Sequence, residues 1–236
     1  NLKRLDLQLE QLKFMGGEPT LHRDLGKMID YVKSSGVVKE LAMVTNGLNF
    51  TNRVVEATSK LDVLMISVYP LDPNPSNIID MTIPGPFGQA IEVKKQELHN
   101  TWETSEVGKY LESKLKEVQW WYQPKFEKIG VGRPEEKYNQ ELNFERCYKK
   151  ITCRVITTDG FYRGNVTHAE KINLQRWTSK QEIINYIESD VPFDKCKVCP
   201  QPPLMEDWDS DNLPVDQKVY VKGVELIKNW SIDGAV

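Results

Sequence analysis

Residues 12–68 repeat one pattern: a short apolar run, a turn, then a stretch of helical spacing. No other feature of the sequence constrains the fold as strongly. Leu12 to Met15 reads as a strand feeding a tight turn at Gly16–Gly17. Asp24 to Ser35 carries Leu25, Met28, Ile29 and Val32 at helical spacing, with Gly36 where a helix stop belongs. Leu41 to Val44 is a second strand, closed by Thr45–Asn46–Gly47, and Asn52 to Leu61 a second helix with Val54, Val55 and Leu61 as its apolar residues. Val63 to Val68 is a third strand, apolar except for Ser67. Strand–helix–strand alternation at this spacing predicts a parallel sheet with right-handed crossovers. Ligands of such sheets gather at the C-terminal ends of the strands. Gly16-Gly17-Glu18-Pro19, Thr45-Asn46-Gly47 and the region of Ser67 to Tyr69 are therefore expected to line one shared face.

Beyond this the pattern weakens. Tyr69 to Gln89, rich in Pro, Asn and Gly, reads as a long loop over the same face. Ala90 to Val93 reads as a further strand, Thr104 to Glu117 as a helix, and Val118 to Tyr122 as another strand with an aromatic bias. Trp102, Trp120, Trp121 and Tyr122 suit buried packing better than a barrel mouth. Pro124 to Gln140 is polar and linker-like. After Phe144 short strands, turns and cysteines take over, as in Arg154 to Thr158, the turn Asp159–Gly160, and Phe161 to Arg163. Trp177 to Ser189 is a helix candidate with Thr178 as its cap and Gln181 three residues on. The tail is acidic from Glu206 to Asp211, then returns to helical spacing at Tyr220, Val224 and Ile227.

The 236 residues carry a formal net charge of −3, and no basic field points to nucleic acid. Lys114, Lys116, Lys125 and Lys128 read as a solvated face. No apolar run reaches the roughly 18 to 20 residues that a membrane span requires. The chain opens on Asn1, inside what reads as an ongoing element, so a preceding segment is expected.

Four cysteines, Cys147, Cys153, Cys196 and Cys199, all fall in the second half. An even count, with N-x-S/T triplets at Asn49, Asn165 and Asn229, allows two disulfides in a secreted protein. A Cys-x-x-Cys pair without an export signal reads more naturally as reduced thiolates on a metal. By spacing alone, a four-cysteine zinc site and an iron–sulfur cluster are equal readings.

Taken singly, Gly16–Pro19 and Thr45–Gly47 are turns and Ser67 is a strand residue. In order and at this spacing they resemble the radical S-adenosylmethionine (SAM) superfamily. Phe14-Met15-Gly16-Gly17-Glu18-Pro19-Thr20-Leu21-His22 is similar to that family's second-strand motif, whose Gly-Gly-Glu segment binds the amino group of SAM. Thr45-Asn46-Gly47 resembles the third-strand ending, and Ile66-Ser67-Val68-Tyr69 the fourth strand, where a Ser commonly contacts the ribose. The resemblance covers residues 10–70 well and 144–200 in outline. It implies SAM contacts at Gly16, Gly17, Glu18, Pro19, Thr45, Asn46 and Ser67, and a structural place for His22 at the start of the following helix. The family's Cys-x3-Cys-x2-Cys motif, which holds a catalytic 4Fe–4S cluster, lies upstream of Gly-Gly-Glu, and no cysteine precedes Cys147 here. Cluster ligands upstream of Asn1 are the expectation, and the catalytic residues stay unassigned.

Cys147-x5-Cys153 followed by Cys196-x2-Cys199 resembles the auxiliary-cluster region of SPASM or twitch type, which implies four thiolates on one further 4Fe–4S cluster, with zinc the alternative. Many relatives place a cysteine near the position of Asn165, and this chain does not. The fold implied is a partial (β/α)6 TIM-like barrel without its first unit over residues 1–143, a Cys-rich auxiliary domain over 144–203, and an acidic linker and helix over 204–236. The activity implied is reductive cleavage of SAM to a 5′-deoxyadenosyl radical and hydrogen abstraction from a peptide or small-molecule substrate. Peptide or natural-product modification is the favoured outcome. An electron donor such as flavodoxin or ferredoxin, a cytoplasmic location, and no nucleic-acid or membrane partner complete the expectation. The rivals are a non-catalytic partner protein that keeps the barrel and a structural four-cysteine site, and a zinc-stabilised α/β protein unrelated to SAM.

Overall fold

Four strands, β1 (Leu9–Phe14), β2 (Val38–Thr45), β3 (Val63–Val68) and β4 (Glu117–Tyr122), form one sheet in the order β1-β2-β3-β4. All three pairings are parallel, with Phe14 opposite Met43, Thr45 opposite Ile66 and Ser67 opposite Trp121. The computed structural model describes residues 2–68, 98–122, 127–128, 139–146, 154–157, 160–163, 171–172, 179–192, 196, 206–207 and 224–232. They fall into two units, one of residues 8–126 with 208–236, the other of residues 1–7 with 127–207.

In the first unit the alternation of each strand sends one set of side chains toward the helices. Leu12 and Phe14 of β1, Leu41 and Met43 of β2, Leu64, Ile66 and Val68 of β3, and Val118 and Trp120 of β4 join a single apolar cluster. Helix α1 (Leu25–Ser35) supplies Leu25, Ile29 and Val32 to that cluster, and α2 (Asn52–Thr58) supplies Val54, Val55 and Ala57. Helical residues 98–104 add Leu98 and Trp102, α3 (Glu106–Lys114) adds Val107 and Leu111, and helical residues 224–229 add Val224 and Ile227. Every described helix of this unit thus packs on the same face of the sheet. The opposite face buries a second set, Ala42, Val63 and Met65, with Val44 against them. This two-sided burial explains why all six residues of β3 are apolar or small.

The expected elements appear with adjusted limits. β1 and β2 begin earlier than their apolar runs, because Glu10, Gln11, Lys39 and Glu40 are strand residues at the polar N-terminal end of the sheet. Helix α1 stops at Gly36, whose φ of 68° closes it with a left-handed residue. Met28 lies off the buried stripe and is 38% exposed. Helix α2 ends at Thr58, not Leu61, and Leu61 packs in the core from the following turn. The strand expected at Ala90–Val93 and the loop at Tyr69–Gln89 lie outside the described residues.

Trp102 anchors the helical layer. It is fully buried, donates its indole N–H to the Glu112 carboxylate at 3.0 Å, and meets Phe50 and Trp120 with ring centroids 5.1 and 6.0 Å away. Its carbonyl comes so near α3 that a Cβ on Gly108 would stand 2.1 Å from it. Ser105 caps α3 there by accepting a hydrogen bond from the Gly108 N–H.

At the N-terminal end of the strands the charges pair among themselves. Lys39 meets Glu10 at 2.6 Å, Lys116 meets Glu40 at 2.6 Å, Gln11 donates to Glu40, and Asp62 accepts the Leu41 N–H at 2.7 Å. Lys116, then Gln11, hold the Glu40 carboxyl below its ordinary value, and Glu40 raises Lys116 in return.

In the second unit β6 (Arg154–Ile156), β7 (Phe161–Arg163) and β8 (Lys171–Ile172) form an antiparallel sheet. Leu5, Phe161 and Ile183 make a small core with Leu2, Leu7, Ile172, Tyr186 and Ile187 around it. The unit also holds α4 (Gln140–Arg146) and α5 (Lys180–Glu188). The cap of α5 is Ser179, not Thr178, and its reciprocal partner is Glu182, not Gln181. The Glu182 carboxylate accepts the Ser179 N–H while Ser179 Oγ accepts the Glu182 N–H, a box in which a charged acceptor outperforms an amide. Glu127–Lys128, inside the expected linker, and Glu206–Asp207, inside the expected acidic linker, pair as antiparallel strands β5 and β9.

Two outcomes follow. Gly108→Ala lowers stability by about 1–3 kcal/mol through overpacking against the Trp102 carbonyl, read as a lower urea midpoint at unchanged slope. Lys116→Met removes the pair with Glu40, and the sign of the pH effect is fixed. A lowered carboxyl contributes stability above its ordinary value of 4.5 and loses it as pH falls through the lowered one. The stability gap between wild type and variant is therefore level near neutrality and closes in acid, as urea melts from pH 7 to pH 3 would show. Solvent screening keeps that gap small and added salt shrinks it further.

Candidate functional site

The C-terminal ends of β1 and β2 are where the sequence motifs meet. After Met15 the backbone takes positive φ at two consecutive residues, 92° at Gly16 and 49° at Gly17. That region carries a Cβ penalty that glycine does not pay. Among the described residues, chain neighbours aside, no atom lies within 4 Å of where a Cβ would stand at either residue, so backbone conformation is what calls for glycine here.

Glu18 follows as the cap of a 3-10 turn, Pro19–Leu21, in which Pro19 takes the first position. Its Oε1 accepts hydrogen bonds from Thr20 N–H at 3.1 Å, Thr20 Oγ1 at 2.8 Å and Thr45 Oγ1 at 2.7 Å. Its Oε2 accepts the Asn46 N–H at 2.8 Å. One carboxylate thus ties the loop after β1 to the loop after β2. A carboxylate has about four lone-pair sites, which leaves Oε2 able to accept one further donor.

The second loop is ordered by its own side chains. Thr45 Oγ1 accepts the Gly47 N–H at 3.1 Å, and Asn46 Oδ1 accepts the Leu48 N–H at 3.0 Å. Gly47 is at φ 74°, and a Cβ there would stand 2.8 Å from Ile66 Cγ2. Ser67, 2% exposed, sits one step beyond the Thr45–Ile66 pair on β3, at the same end of the sheet. Gly16–Pro19 and Thr45–Asn46 are therefore joined by hydrogen bonds. Ser67 shares their end of the sheet without a bond to them.

Two residues that sequence reasoning missed complete the loop. Arg53, in the first turn of α2, donates to the carbonyls of His22 at 2.9 Å, Arg23 at 3.2 Å and Thr20 at 3.1 Å. Asn49 Nδ2 donates to the Thr20 carbonyl at 3.0 Å and to Thr20 Oγ1 at 3.3 Å. Nothing in the sequence marks either, because a polar residue in a turn and an arginine on a helix are the commonest surface choices. His22 lies in this web, where its carbonyl accepts from Arg53 and its Nδ1 accepts the Asp24 N–H at 3.2 Å.

On the face of the sheet away from the helices, Lys13 of β1 places its ammonium 5.5 Å from the centre of the Trp121 ring on β4. Strands stand about 4.8 Å apart, so the two side chains reach toward each other across the two intervening strands. Trp102 and Trp120 lie on the helical side instead, and Trp121, 40% exposed, is the tryptophan that reaches this face. The side chain of Tyr122 lies outside the described residues. Cys196, half-buried, belongs to the second unit, and Cys147, Cys153 and Cys199 lie outside the described residues. Among the described residues no group of three or more His, Cys, Asp or Glu is placed to hold a metal ion, and no helix is long and apolar enough to cross a membrane.

No family model matches the chain. Short stretches are similar to curated proteins. One is a GTP 3′,8-cyclase of Photorhabdus laumondii subsp. laumondii, 32% identical over 69 residues, 29% of this chain and 21% of that protein. Another is an S-adenosylmethionine-dependent nucleotide dehydratase of Selenomonas ruminantium, 37% identical over 76 residues, 31% of this chain and 27% of that protein. A GTP 3′,8-cyclase of Tolumonas auensis is 31% identical over 75 residues, 31% of this chain and 22% of that protein. The similarity thus spans 21 to 27% of the length of these relatives.

The Glu18 bridge gives a direct outcome. Glu18→Gln keeps the shape but turns an amide N–H toward the Thr45 and Thr20 donors or toward the Asn46 N–H, whichever way it rotates. A stability loss of about 1–3 kcal/mol is expected, measured by urea denaturation, whereas Glu10→Gln at the solvated end of β1 changes little.

Proposed function

We propose that this chain carries the SAM-binding part of a radical SAM enzyme, with β1 to β4 and their helices forming part of a (β/α)6 barrel. The observation that carries the reading is the joining of Gly16-Gly17-Glu18 to Thr45–Asn46 by one carboxylate, next to a turn without side chains. The sequential strand order, with every described helix of this unit on a single face, supports the barrel, since a doubly wound sheet would carry helices on both. The SAM-dependence named for the Selenomonas ruminantium relative supports the cofactor.

In this reading the turn carbonyls of Gly16 and Gly17 and the remaining site on Glu18 Oε2 receive the ammonium of SAM. Pro19, as the first residue of the 3-10 turn, stiffens the exit, and Thr45 and Asn46 fix the Glu18 carboxylate in place. Ser67 offers its hydroxyl to the ribose. SAM bound at a 4Fe–4S cluster supplies one-electron reductive cleavage and, from it, hydrogen abstraction from substrate. We assign the thiolates of that cluster to residues outside this chain's 236. The chain's own work is to bind, orient and keep water from the reacting centre. The sheet face with Lys13 and Trp121 is where we place the substrate.

Cys147, Cys153, Cys196 and Cys199 are proposed to hold an auxiliary 4Fe–4S cluster, with zinc as the competing metal. Reduced thiolates fit a cytoplasmic enzyme served by a flavodoxin or ferredoxin. The substrate proposed from sequence is a peptide or natural product. The names of the relatives favour a second reading, a nucleotide, whose phosphates would suit the Lys13 ammonium.

Anaerobic reconstitution of the full-length gene product with iron and sulfide, followed by dithionite and SAM, tests the activity. The expected result is 5′-deoxyadenosine together with visible absorption from the clusters. A reconstituted protein with an unchanged visible spectrum and no 5′-deoxyadenosine contradicts the proposal. Adding GTP or a basic peptide then separates the two substrate readings by which one accelerates 5′-deoxyadenosine release.

A further inference from the structure

We infer that Arg53 is a positioning residue for the Gly16–Gly17 turn, acting through Thr20 and Glu18 without contact with the bound ligand. The functional half of this inference rests on the reading of that turn as the SAM site. Among the described residues, chain neighbours aside, nothing comes within 4 Å of a would-be Cβ on either glycine, and neither has a side chain of its own to hold its positive-φ geometry. Their conformation is imposed from the two ends of the loop. Upstream is the β1 ladder, which ends at Phe14. Downstream is Glu18, whose Oε1 is held twice by Thr20.

Thr20, 0% exposed, is itself held from α2 and the loop before it. Its carbonyl accepts from Arg53 and Asn49, and its Oγ1 accepts from Asn49. The 3-10 turn Pro19–Leu21 has only the Leu21 N–H to Glu18 and His22 N–H to Pro19 bonds of its own. A turn this short leaves few backbone donors for the carbonyls that follow. The Arg53 guanidinium donates to the Thr20 and Arg23 carbonyls and to that of His22, which also accepts the Leu25 N–H at 3.2 Å, with a planar fork that a lysine cannot reproduce. Arg53 thus fixes the segment that fixes Glu18, and Glu18 fixes the turn.

The test is Arg53→Met in the full-length reconstituted protein, with two readouts. Hydrogen exchange at the Thr20, Leu21 and His22 amides is expected to quicken about tenfold while the β3 amides stay as in wild type. The SAM concentration for half-maximal 5′-deoxyadenosine formation is expected to rise about tenfold, a loss of about 1.4 kcal/mol, with the rate at saturating SAM within twofold of wild type. Arg53→Lys, which offers one ammonium in place of the fork, is expected to fall between the two. If Arg53→Met proves unfolded, Asn49→Ala, which removes only the neutral bonds to Thr20, carries the same two measurements with smaller expected changes. Unaltered exchange at these amides in a folded variant overturns the inference outright. Faster exchange with unaltered SAM dependence overturns its functional half. A wild type that forms no 5′-deoxyadenosine instead defeats the SAM reading, and the exchange data still decide whether Arg53 holds the turn.

Discussion

Sharing one carboxylate between two strand ends is the constraint from which the rest of the site follows. Glu18 accepts four hydrogen bonds, from Thr20 twice, from Thr45 and from the Asn46 backbone. Neutral turns would leave these donors to water and the two loops independent. A charged acceptor, whose hydrogen bonds are roughly twice as strong as neutral ones, makes the loops a single body. The glycines before it can then adopt positive φ without a side chain of their own to steady them.

The sheet beneath makes that bridge possible. Parallel pairing of β1 with β2 brings the residues after Phe14 beside those after Met43, so the two loops emerge together at one end. Packing every described helix of this unit on one face leaves the other to Ala42, Val63, Met65, Lys13 and Trp121. Charges at the far end of the strands neutralise one another, as Glu40 and Lys116 show. Ionic pairing at one end and the Glu18 bridge at the other give the two ends of the sheet different characters.

The strands and helices of residues 9–68 were legible because apolar periodicity reports directly on which face is buried. Val63–Val68 appears with the limits its composition implies, and Gly36 ends α1 as its position implies. What could not be read were interactions that depend on tertiary proximity. The bond from Asn46 to Glu18 spans 28 positions and that from Arg53 to Thr20 spans 33, and neither leaves a local pattern. The cap of α5 was misplaced by one residue because Thr178 and Ser179 are both good caps, and only the reciprocal bond with Glu182 separates them. Trp102 and Trp121 look alike in sequence. The first fills the core and the second lies on the face away from the helices, a difference set by helix packing and strand parity.

The most direct measurement is an anaerobic crystal structure of the reconstituted full-length protein with SAM bound. The account predicts the methionyl ammonium within hydrogen-bonding distance of the Gly16 or Gly17 carbonyl or of Glu18 Oε2, with the Glu18 bonds to Thr45 and Asn46 intact. SAM bound elsewhere, or a Glu18 carboxylate released from Thr45 and Asn46 to reach it, would contradict the account.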